Sequence, residues 1–466
     1  MQPRPLKYIA ESCMGRLRDG LPGTIVSRVC IDSREAQPGD LFFALAGERF
    51  DGHKFLPEVA QRGVAAVVSE ISKVPRDFRA CPVIGVENTR AALGRLAARY
   101  RRDFLLPVIA VGGSNGKTST KELIASVLRQ KRATLWSEGS FNNEIGVPLT
   151  LLKLEQAHQA AVLEVGTNHP GELLPLLRMM APHFGVITNI GREHLEFFGD
   201  LAGVAREEGA VAEALPASGT LFVNGDNEWT DSIVLRTRAR VVRIGFGEGN
   251  DWMAHNIRID DSGAIFSVKC RYAELCGDYR IQLLGRHQVA NALFALAIGA
   301  ELGLPRAAIA HGLESCAPAK MRLQLCQPGG IRVLDDAYNA NADSMLAALQ
   351  TLRDLPCAGR RVAVLGDMAE LGETSRAAHA EVGQRAAEFN LDTLFAVGRQ
   401  AGEIASAARD GGLQTVVEIP EVETAVRAVR EFAKPGDVVL IKASRSMRLE
   451  RISEALKTKV ETKMRP

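Results

Sequence analysis

Residues 110–123 read AVGGSNGKTSTKEL and combine the glycines, lysine and hydroxyls of a phosphate-binding loop. The stretch follows the apolar run LLPVIAV and leads into a helical pattern that begins near Lys117. In that context, backbone N–H groups from Gly113 to Thr118 can converge on an anion at a helix N-terminus. The loop is shorter than the usual G-x-x-x-x-G-K-[ST], because Val111 stands five residues before Gly116. Taken alone, the stretch is therefore also compatible with an ordinary glycine-rich turn.

Two side chains that follow later strands suit a nucleotide site with a divalent cation. Lys117 would reach the outer phosphates, and the Thr118 hydroxyl would ligate Mg²⁺. Glu164 ends the apolar run AAVLE, where a carboxylate reaches the ligand edge of a parallel sheet. His194 follows another strand end and is a candidate second ligand. Singly, such a glutamate is more often a solvated strand end or helix cap, and such a histidine is more often a packed or surface residue.

Composition limits the class of protein. The 57 Lys and Arg residues nearly balance the 55 Asp and Glu residues, which argues against a global field for nucleic acid or an anionic membrane. The eight cysteines are scattered without a C-x-x-C pair, which disfavours a zinc ribbon and a disulfide framework. No apolar run approaches the roughly 20 residues that span a bilayer. We expect a soluble, cytoplasmic protein that neither binds nucleic acid nor inserts into a membrane.

The pattern of strands and helices predicts three successive α/β domains, over residues 1–86, 87–318 and 319–466. A helix over 89–104, with Ala92, Leu93, Leu96 and Ala97 on one face, is expected to enter the second domain. Alternating apolar strands and helices predict a mainly parallel sheet in the second domain and a Rossmann-like third domain.

Seven motifs occur in one order along nearly the whole chain: GSNGKTSTKEL, SFNNEIGVPLTLL, LEVGTNHPGEL, TNIGREHLEFFG, GRHQVANALFALA, DDAYNANADSM and GDMAELG. This order resembles the Mur ligases. The segments CIDSREAQPGDLFFALAGERFDGHKF and LIKASRSMRLE are similar to those of the branch that adds D-alanyl-D-alanine to UDP-N-acetylmuramoyl-tripeptide. The D-N-P-R signature of the tripeptide-forming branch does not occur.

The resemblance implies an ATP-dependent amide ligase of peptidoglycan synthesis that acts as a monomer with ATP and two Mg²⁺ ions. The γ-phosphate would pass to a substrate carboxylate, and an amine would attack the acyl phosphate. The first domain would bind the UDP group, the second would be the ATPase, and the third would bring the dipeptide.

The resemblance also implies roles for individual residues. Nucleotide contacts would come from Gly113, Ser114, Asn115, Gly116, Lys117, Thr118, Ser119, Asn291, Arg322, Asp336, Tyr338 and Asn339. Metal ligands would be Thr118, Glu164 and His194, and catalytic roles would fall to Lys117, His194 and Glu208. The UDP substrate would meet Ser33, Arg34, the segment Gly47 to His53, Asn142 and Asn143. Asp367, Glu370, Leu371, Lys442, Ser444 and Arg445 are candidates for D-alanyl-D-alanine.

Three positions depart from the family pattern. Met321 stands where a glycine is common, so the hinge into the third domain is expected to be stiffer. Gln288 replaces an asparagine but keeps an amide. Glu208 stands where relatives have a carbamylated lysine, and we hypothesise that it supplies a permanent carboxylate that reaches the second Mg²⁺ through a water. The alternative is that Glu207 and Glu208 form a solvated helix face.

Other functions stay open on the sequence alone. Another Mur-type ligase would add an amino acid to a UDP-N-acetylmuramoyl-dipeptide. A folylpolyglutamate synthetase-like enzyme would share the loop and Glu164 but lacks a UDP-binding first domain of this kind. A nucleotide-dependent switch would leave His194, Asn291 and the DDAYN motif without a role.

Overall fold

The computed structural model describes residues 1–47, 50–389 and 391–463. Its strands form one main sheet in each of three successive parts of the chain. The first part contains β1 (Arg4–Pro5), α1 (Leu6–Cys13), β2 (Arg16–Arg18), β3 (Ile25–Val26), β4 (Val29–Cys30), β5 (Leu41–Phe43), α2 (Leu56–Gln61), β6 (Ala66–Glu70), β7 (Val83–Val86) and α3 (Thr89–Arg101). Its main sheet has the order β2-β7-β6-β5-β4, in which β4 to β7 are parallel and β2 is antiparallel. β1 and β3 form a separate antiparallel pair.

The central part begins with β8 (Val108–Gly112), α4 (Lys117–Leu128), β9 (Thr134–Trp136), α5 (Gly146–Leu151), β10 (Ala160–Glu164), α6 (Leu173–Met180), β11 (Phe184–Ile187), α7 (Leu195–Phe198), α8 (Leu201–Glu208) and α9 (Ala210–Glu213). It continues with β12 (Thr220–Asn224), α10 (Thr230–Val234), β13 (Arg240–Gly245), β14 (Trp252–Asp260), β15 (Gly263–Cys270), β16 (Gly277–Ile281), α11 (Arg286–Glu301) and α12 (Arg306–Glu314). The sheet order is β16-β15-β14-β13-β12-β11-β8-β10-β9, and it is parallel from β9 to β14. β15 and β16 add antiparallel hairpins at one edge.

The last part contains β17 (Gln324–Cys326), β18 (Arg332–Asp335), α13 (Ala342–Asp354), β19 (Arg361–Gly366), α14 (Ser375–Glu388), β20 (Thr393–Val397), α15 (Ala401–Asp410), β21 (Val416–Ile419), α16 (Val422–Phe432), β22 (Val438–Lys442) and α17 (Glu450–Lys463). Its sheet order is β17-β18-β22-β19-β20-β21, with only β17 antiparallel. The α/β class and the mainly parallel central sheet are confirmed.

Helix α3 joins the first and central parts. Its predicted apolar face is confirmed, since Ala92, Leu93, Leu96 and Ala97 are fully buried. The helix packs against α1 on one side and against α5 and α6 on the other, within one continuous apolar core. The side chain of Arg90 on this helix donates to the Ala46 carbonyl at 2.7 Å and pairs with Glu144.

The connection into the last part has a strained backbone near Met321, the position where the family pattern commonly has a glycine. Met321 has φ of 57° and Leu323 has φ of 47°, in the left-handed region that favours glycine. Such a conformation costs an L-residue about 1–2 kcal/mol. In the described residues, no helix is both long and apolar enough to cross a membrane.

Candidate active site

The phosphate loop joins β8 to α4, as predicted. At two of its glycines there is no room for a side chain. Gly113 and Gly116 have φ of 107° and 83°. A Cβ on Gly113 would lie 2.3 Å from the Thr188 hydroxyl oxygen, and a Cβ on Gly116 would lie 2.7 Å from the amide oxygen of Asn291. The loop is thus pressed against its neighbours in a conformation that only glycine adopts readily.

Lys117 is held by the loop and by a carboxylate. Its Nζ donates to the carbonyl of Gly113 at 2.5 Å, to that of Ser114 at 3.2 Å and to Glu193 Oε2 at 3.2 Å. Burial lowers the pKa of Lys117, but the nearby carboxylates, that of Glu193 foremost, bring the pKa above its ordinary value. A positive charge therefore stands beside the loop at the N-terminus of α4. The N–H groups of Gly113, Ser114 and Asn115 donate to Glu208 and Asn189, so the prediction that these three amides converge on an anion is not met in this structure.

Glu208 lies behind the loop, which differs from its expected position near a cation. Its Oε2 accepts the Gly113 N–H at 2.5 Å, and its side chain is fully buried. The alternative of a solvated helix face is wrong, because Glu207 is also buried and accepts the N–H groups of Gly171 and Leu173. Burial, and then the neighbouring Glu193, raise the pKa of Glu208 to about 8.

Glu164 and Thr118 lie together at the cavity edge of the sheet. The Thr118 hydroxyl donates to Glu164 Oε2 at 2.9 Å, and the Asn142 amide donates to Glu164 Oε1 at 2.9 Å. Hydroxyl and carboxylate oxygens are the donors that Mg²⁺ prefers, so this pair fits a hard cation. His194, on the wall of the same cavity, has φ of 47° and directs its Nδ1 to Glu370. No three His, Cys, Asp or Glu side chains form a preformed metal site in the described residues.

These side chains face a cavity of about 430 Å³ between the central and last parts. Three contacts bridge its walls: Asn341 donates to Asn115 at 2.9 Å, and hydrogen bonds join Tyr338 to Ser140 and His194 to Glu370. The Arg322 guanidinium lies 4.1 Å from the centre of the Tyr338 ring. The predicted residues on its walls are Ser114, Asn115, Gly116, Lys117, Thr118, Ser119, Asn142, Asn143, Glu164, His194, Arg322, Tyr338, Asn339, Glu370, Ser444 and Arg445.

A smaller cavity of about 170 Å³ adjoins the other side of the loop. Asn291 faces it and donates to Gln288 Oε1 at 2.9 Å, so the substituted amide keeps Asn291 oriented against Gly116. Lys442 donates to Asp336 at 2.6 Å in the same cavity, and burial lowers the pKa of this lysine. The predicted nucleotide residues thus divide between two joined cavities.

The predicted UDP-binding residues of the first part lie away from both cavities. Ser33 and Arg34 follow β4, and Gly47 and His53 follow the neighbouring parallel strand β5, so all four lie at one edge of the sheet. His53 is buried and contacts Asp51 at 2.6 Å and the Glu70 N–H at 3.2 Å. Between Gly47 and His53, residues 48 and 49 are outside the described residues.

Three candidates for the dipeptide site do not line the larger cavity: Lys442, which faces the smaller cavity instead, Asp367 and Leu371. Asp367 accepts the N–H groups of Arg399 and Gln400 at 3.0 and 2.9 Å, so its carboxylate is occupied by the backbone before α15. Leu371 is 3% exposed and belongs to the apolar core. The predicted contact of Asp367 and Leu371 with a substrate is wrong in this structure, because these two side chains are engaged within the last domain.

Several residues of the site were not predicted. Glu193 binds Lys117, and Asn189 Oδ1 accepts the Asn115 N–H at 2.8 Å. Arg192 pairs with Asp343 and Glu381 of the last part. The signal was present in TNIGREHLEFFG, where polar residues follow a strand end, but only the histidine was assigned a role.

Three family profiles match the chain: "Mur ligase family, catalytic domain" over residues 25–101, "Mur ligase middle domain" over 111–299, and "Mur ligase, glutamate ligase domain" over 321–445. The chain is 36% identical to the UDP-N-acetylmuramoyl-tripeptide--D-alanyl-D-alanine ligase of Bacillus subtilis, over 98% of this chain and 99% of that one. It is 37% identical to the Escherichia coli enzyme of the same name, over 92% and 93% of the two chains.

Solved structures agree over nearly the full length. MurF from Acinetobacter baumannii superposes with a TM-score of 0.89 at 33% identity, over 98% of this chain and 99% of that one. MurF ligase from Thermotoga maritima in complex with ADP has a TM-score of 0.83 at 27% identity, over 94% and 99%. The chain therefore belongs to the Mur ligase family.

Proposed function

We propose that the protein joins D-alanyl-D-alanine to UDP-N-acetylmuramoyl-tripeptide with ATP, through an acyl phosphate, and so makes a precursor of peptidoglycan. The observation that carries the proposal is the meeting of Lys117, Thr118 and Glu164 on one wall of a cavity whose other wall belongs to the last domain. The near full-length similarity to ligases of this name supports the choice of substrates.

The chemistry follows from the charges at the loop. A carboxylate is a poor acyl donor, because its leaving group would be an oxide dianion. Transfer of the ATP γ-phosphate to one carboxylate oxygen gives ADP and an acyl phosphate. The dipeptide amine then attacks the carbonyl carbon, loses a proton, and expels phosphate to form the amide. Lys117 and the loop amides would stabilise the charge that converges during the first transfer.

A divalent cation would complete this site. Thr118 and Glu164 offer adjacent oxygen donors, and His194 offers a ring nitrogen on the same cavity wall. The ion would neutralise phosphate charge, and we assign Mg²⁺, in two copies, to these residues. Because the described residues hold no preformed metal cage, phosphate and water would supply the remaining ligands.

The substrate ends have separate binding regions in this proposal. The UDP group would lie against the edge that carries Ser33, Arg34, Gly47 and His53, and Asn142 and Asn143 would face the peptide. The dipeptide would enter beside Glu370, Ser444 and Arg445 on the last domain. Asn291 and Asp336 would contact the nucleoside in the smaller cavity. Lys442, expected at the dipeptide site, faces this smaller cavity and would also lie near the nucleoside. In this proposal, boundaries at 86/87 and 318/319 separate the three domains, and the protein acts as a monomer.

We further propose that Glu208 takes the position of the carbamylated lysine of relatives and that its carboxyl group holds the loop through the Gly113 N–H. On this assignment, added bicarbonate leaves the rate of phosphate release unchanged. Stimulation by bicarbonate would contradict it.

The test measures phosphate release from ATP with each candidate acceptor and donor, alone and together, and identifies the product by mass. The proposal expects release and a pentapeptide product only when UDP-N-acetylmuramoyl-tripeptide and D-alanyl-D-alanine are both present. Release that is independent of either substrate would overturn it. If a UDP-N-acetylmuramoyl-dipeptide or a folate can replace the tripeptide, the protein is another ligase of this fold. The similarity to a Mycobacterium tuberculosis folylpolyglutamate synthase, at 17% identity, shows the fold alone.

A further inference from the structure

Residues 191–194 lie between the phosphate loop and the last domain, and their contacts alternate. Gly191 donates its N–H to the Ser114 hydroxyl at 2.9 Å, and Glu193 accepts from Lys117 at 3.2 Å. Arg192 and His194 instead contact the last domain, through Asp343 and Glu370. Successive residues of one short segment thus touch the loop and the last domain in turn.

Arg192 makes the most extensive of these contacts. Its N–H donates to Asp343 Oδ2 at 2.7 Å, its Nε donates to Asp343 Oδ1 at 2.8 Å, and the end of its guanidinium pairs with Glu381. A guanidinium shared by two carboxylates fixes orientation better than a single ion pair. The three side chains are 28%, 32% and 38% exposed, so water reaches the pairs and they can separate.

Gly191 lets the two domains approach each other closely at this point. A Cβ there would lie 2.6 Å from Asp343 Oδ2, and 3.4 Å from the amide nitrogen of Asn115 in the loop. Asp343 lies in the first turn of α13, one residue after the Ala342 that begins the helix, and it also faces the smaller cavity. The segment therefore touches the loop, the last domain and the cavity wall within four residues.

We infer that residues 191–194 couple occupation of the phosphate loop to docking of the last domain, and that Arg192 is the positioning residue of this coupling. When phosphate binds Lys117 and the loop, the contact between Lys117 and Glu193 changes. Because Glu193 follows Arg192 directly in the chain, this change affects the position of Arg192. Arg192 then holds α13 and α14 against the central domain, which keeps the dipeptide wall of the cavity in place. The inference rests on the proposed function for its substrates, but not for its contacts.

The kinetic test uses two variants. Arg192→Lys keeps the positive charge but removes the guanidinium that contacts two carboxylates at once, and Glu381→Gln removes the charge of one of these partners, which faces neither cavity. Because docking brings the dipeptide wall, Arg192→Lys should raise the KM for D-alanyl-D-alanine about tenfold and change the KM for the UDP substrate less than about twofold. Glu381→Gln should have a smaller effect in the same direction, and the double variant should be little worse than Arg192→Lys alone.

Arg376→Ala is the matched control, because Arg376 also lies on α14 but pairs with Glu403 inside the last domain. It should leave both KM values unchanged. A purely structural role for Arg192 would lower kcat without separating the two KM values. Equal changes in both KM values, or additive effects of the two substitutions, would overturn the inference.

A second measurement does not depend on the substrates. Small-angle X-ray scattering with a non-hydrolysable ATP analogue and Mg²⁺ should find Arg192→Lys more extended than the unchanged protein and than Arg376→Ala. If the unchanged protein makes no pentapeptide but this difference is present, the proposed function fails and the coupling stands. If the scattering of the three proteins is the same, the coupling fails whatever the substrates are.

Discussion

The two walls of the larger cavity differ in what holds them. On the loop wall, Lys117, Thr118 and Glu164 are held by hydrogen bonds within the central domain, and Thr118 and Glu164 are buried. On the opposite wall, Glu370 and Arg445 are 43% and 51% exposed, and the contacts of Asn341, Tyr338 and Glu370 cross to the central domain. A site that activates phosphate needs fixed charges, whereas a site that admits a second substrate must open. The substitutions below test whether the two walls behave in these two ways.

The largest effect is expected at Lys117. Lys117→Ala removes the cation beside the phosphate loop and should lower the rate of amide formation by about a thousandfold or more. Binding of the UDP substrate, measured by calorimetry, should be nearly unchanged because its UDP group is proposed to bind the first part, away from Lys117. Lys153→Ala, which removes an exposed partner of Glu138, is the control. Loss of both activity and UDP-substrate binding would indicate a folding defect and contradict a local role.

Glu164 should determine the Mg²⁺ concentration that the reaction needs. Glu164→Gln keeps the shape of the side chain but loses its charge, so the Mg²⁺ concentration for half-maximal phosphate release should rise about tenfold or more. A Mg²⁺ titration of the steady-state rate measures this. Glu138→Gln changes an exposed carboxylate and should give the unchanged curve. An unaltered Mg²⁺ requirement in Glu164→Gln would remove this residue from the metal site.

Glu208 should make the stability of the loop wall depend on pH. Burial, with Glu193, holds its pKa at about 8, far above the ordinary value of 4.5. Between pH 4.5 and 8, Glu208 keeps a proton in the folded protein that it has lost in the unfolded chain. The free energy of unfolding therefore falls as the pH rises through this range. Glu208→Gln lacks this titration. Between about pH 5.5 and 8.5, the Tm of the unchanged protein should therefore fall by roughly 5 °C more than that of the variant.

The melting experiment is done without nucleotide and with a chelator. Parallel Tm curves for the two proteins would show that Glu208 does not titrate in this range. That result would contradict a buried, proton-holding carboxyl behind the loop.

The smallest effect on catalysis is expected at Asp367. Its carboxylate accepts two backbone N–H groups and faces away from the cavity. Asp367→Asn should lower the Tm by roughly 3 °C and leave the KM for D-alanyl-D-alanine unchanged. A selective rise in that KM would return Asp367 to the dipeptide site.

These comparisons show what a sequence can predict here. The phosphate loop, Glu164 and the α3 face were predictable, because strand ends and helical periodicity fix where those side chains point. Asp367 and Leu371 were misassigned because a motif names a loop but not which of its side chains turn inward. Glu193 was not predicted, and Glu208 was expected near a cation rather than behind the loop, since the partners of buried carboxylates are recognised only from three-dimensional contacts.

Oxygen transfer tests the central claim most directly. The tripeptide carboxylate is labelled with ¹⁸O, and the phosphate released during ligation is analysed by mass spectrometry. If the γ-phosphate passes to this carboxylate and an amine displaces it, each phosphate carries one labelled oxygen. Amide formation removes one of the two carboxylate oxygens, so unlabelled phosphate, with that labelled oxygen found in water or another product, would contradict an acyl phosphate intermediate.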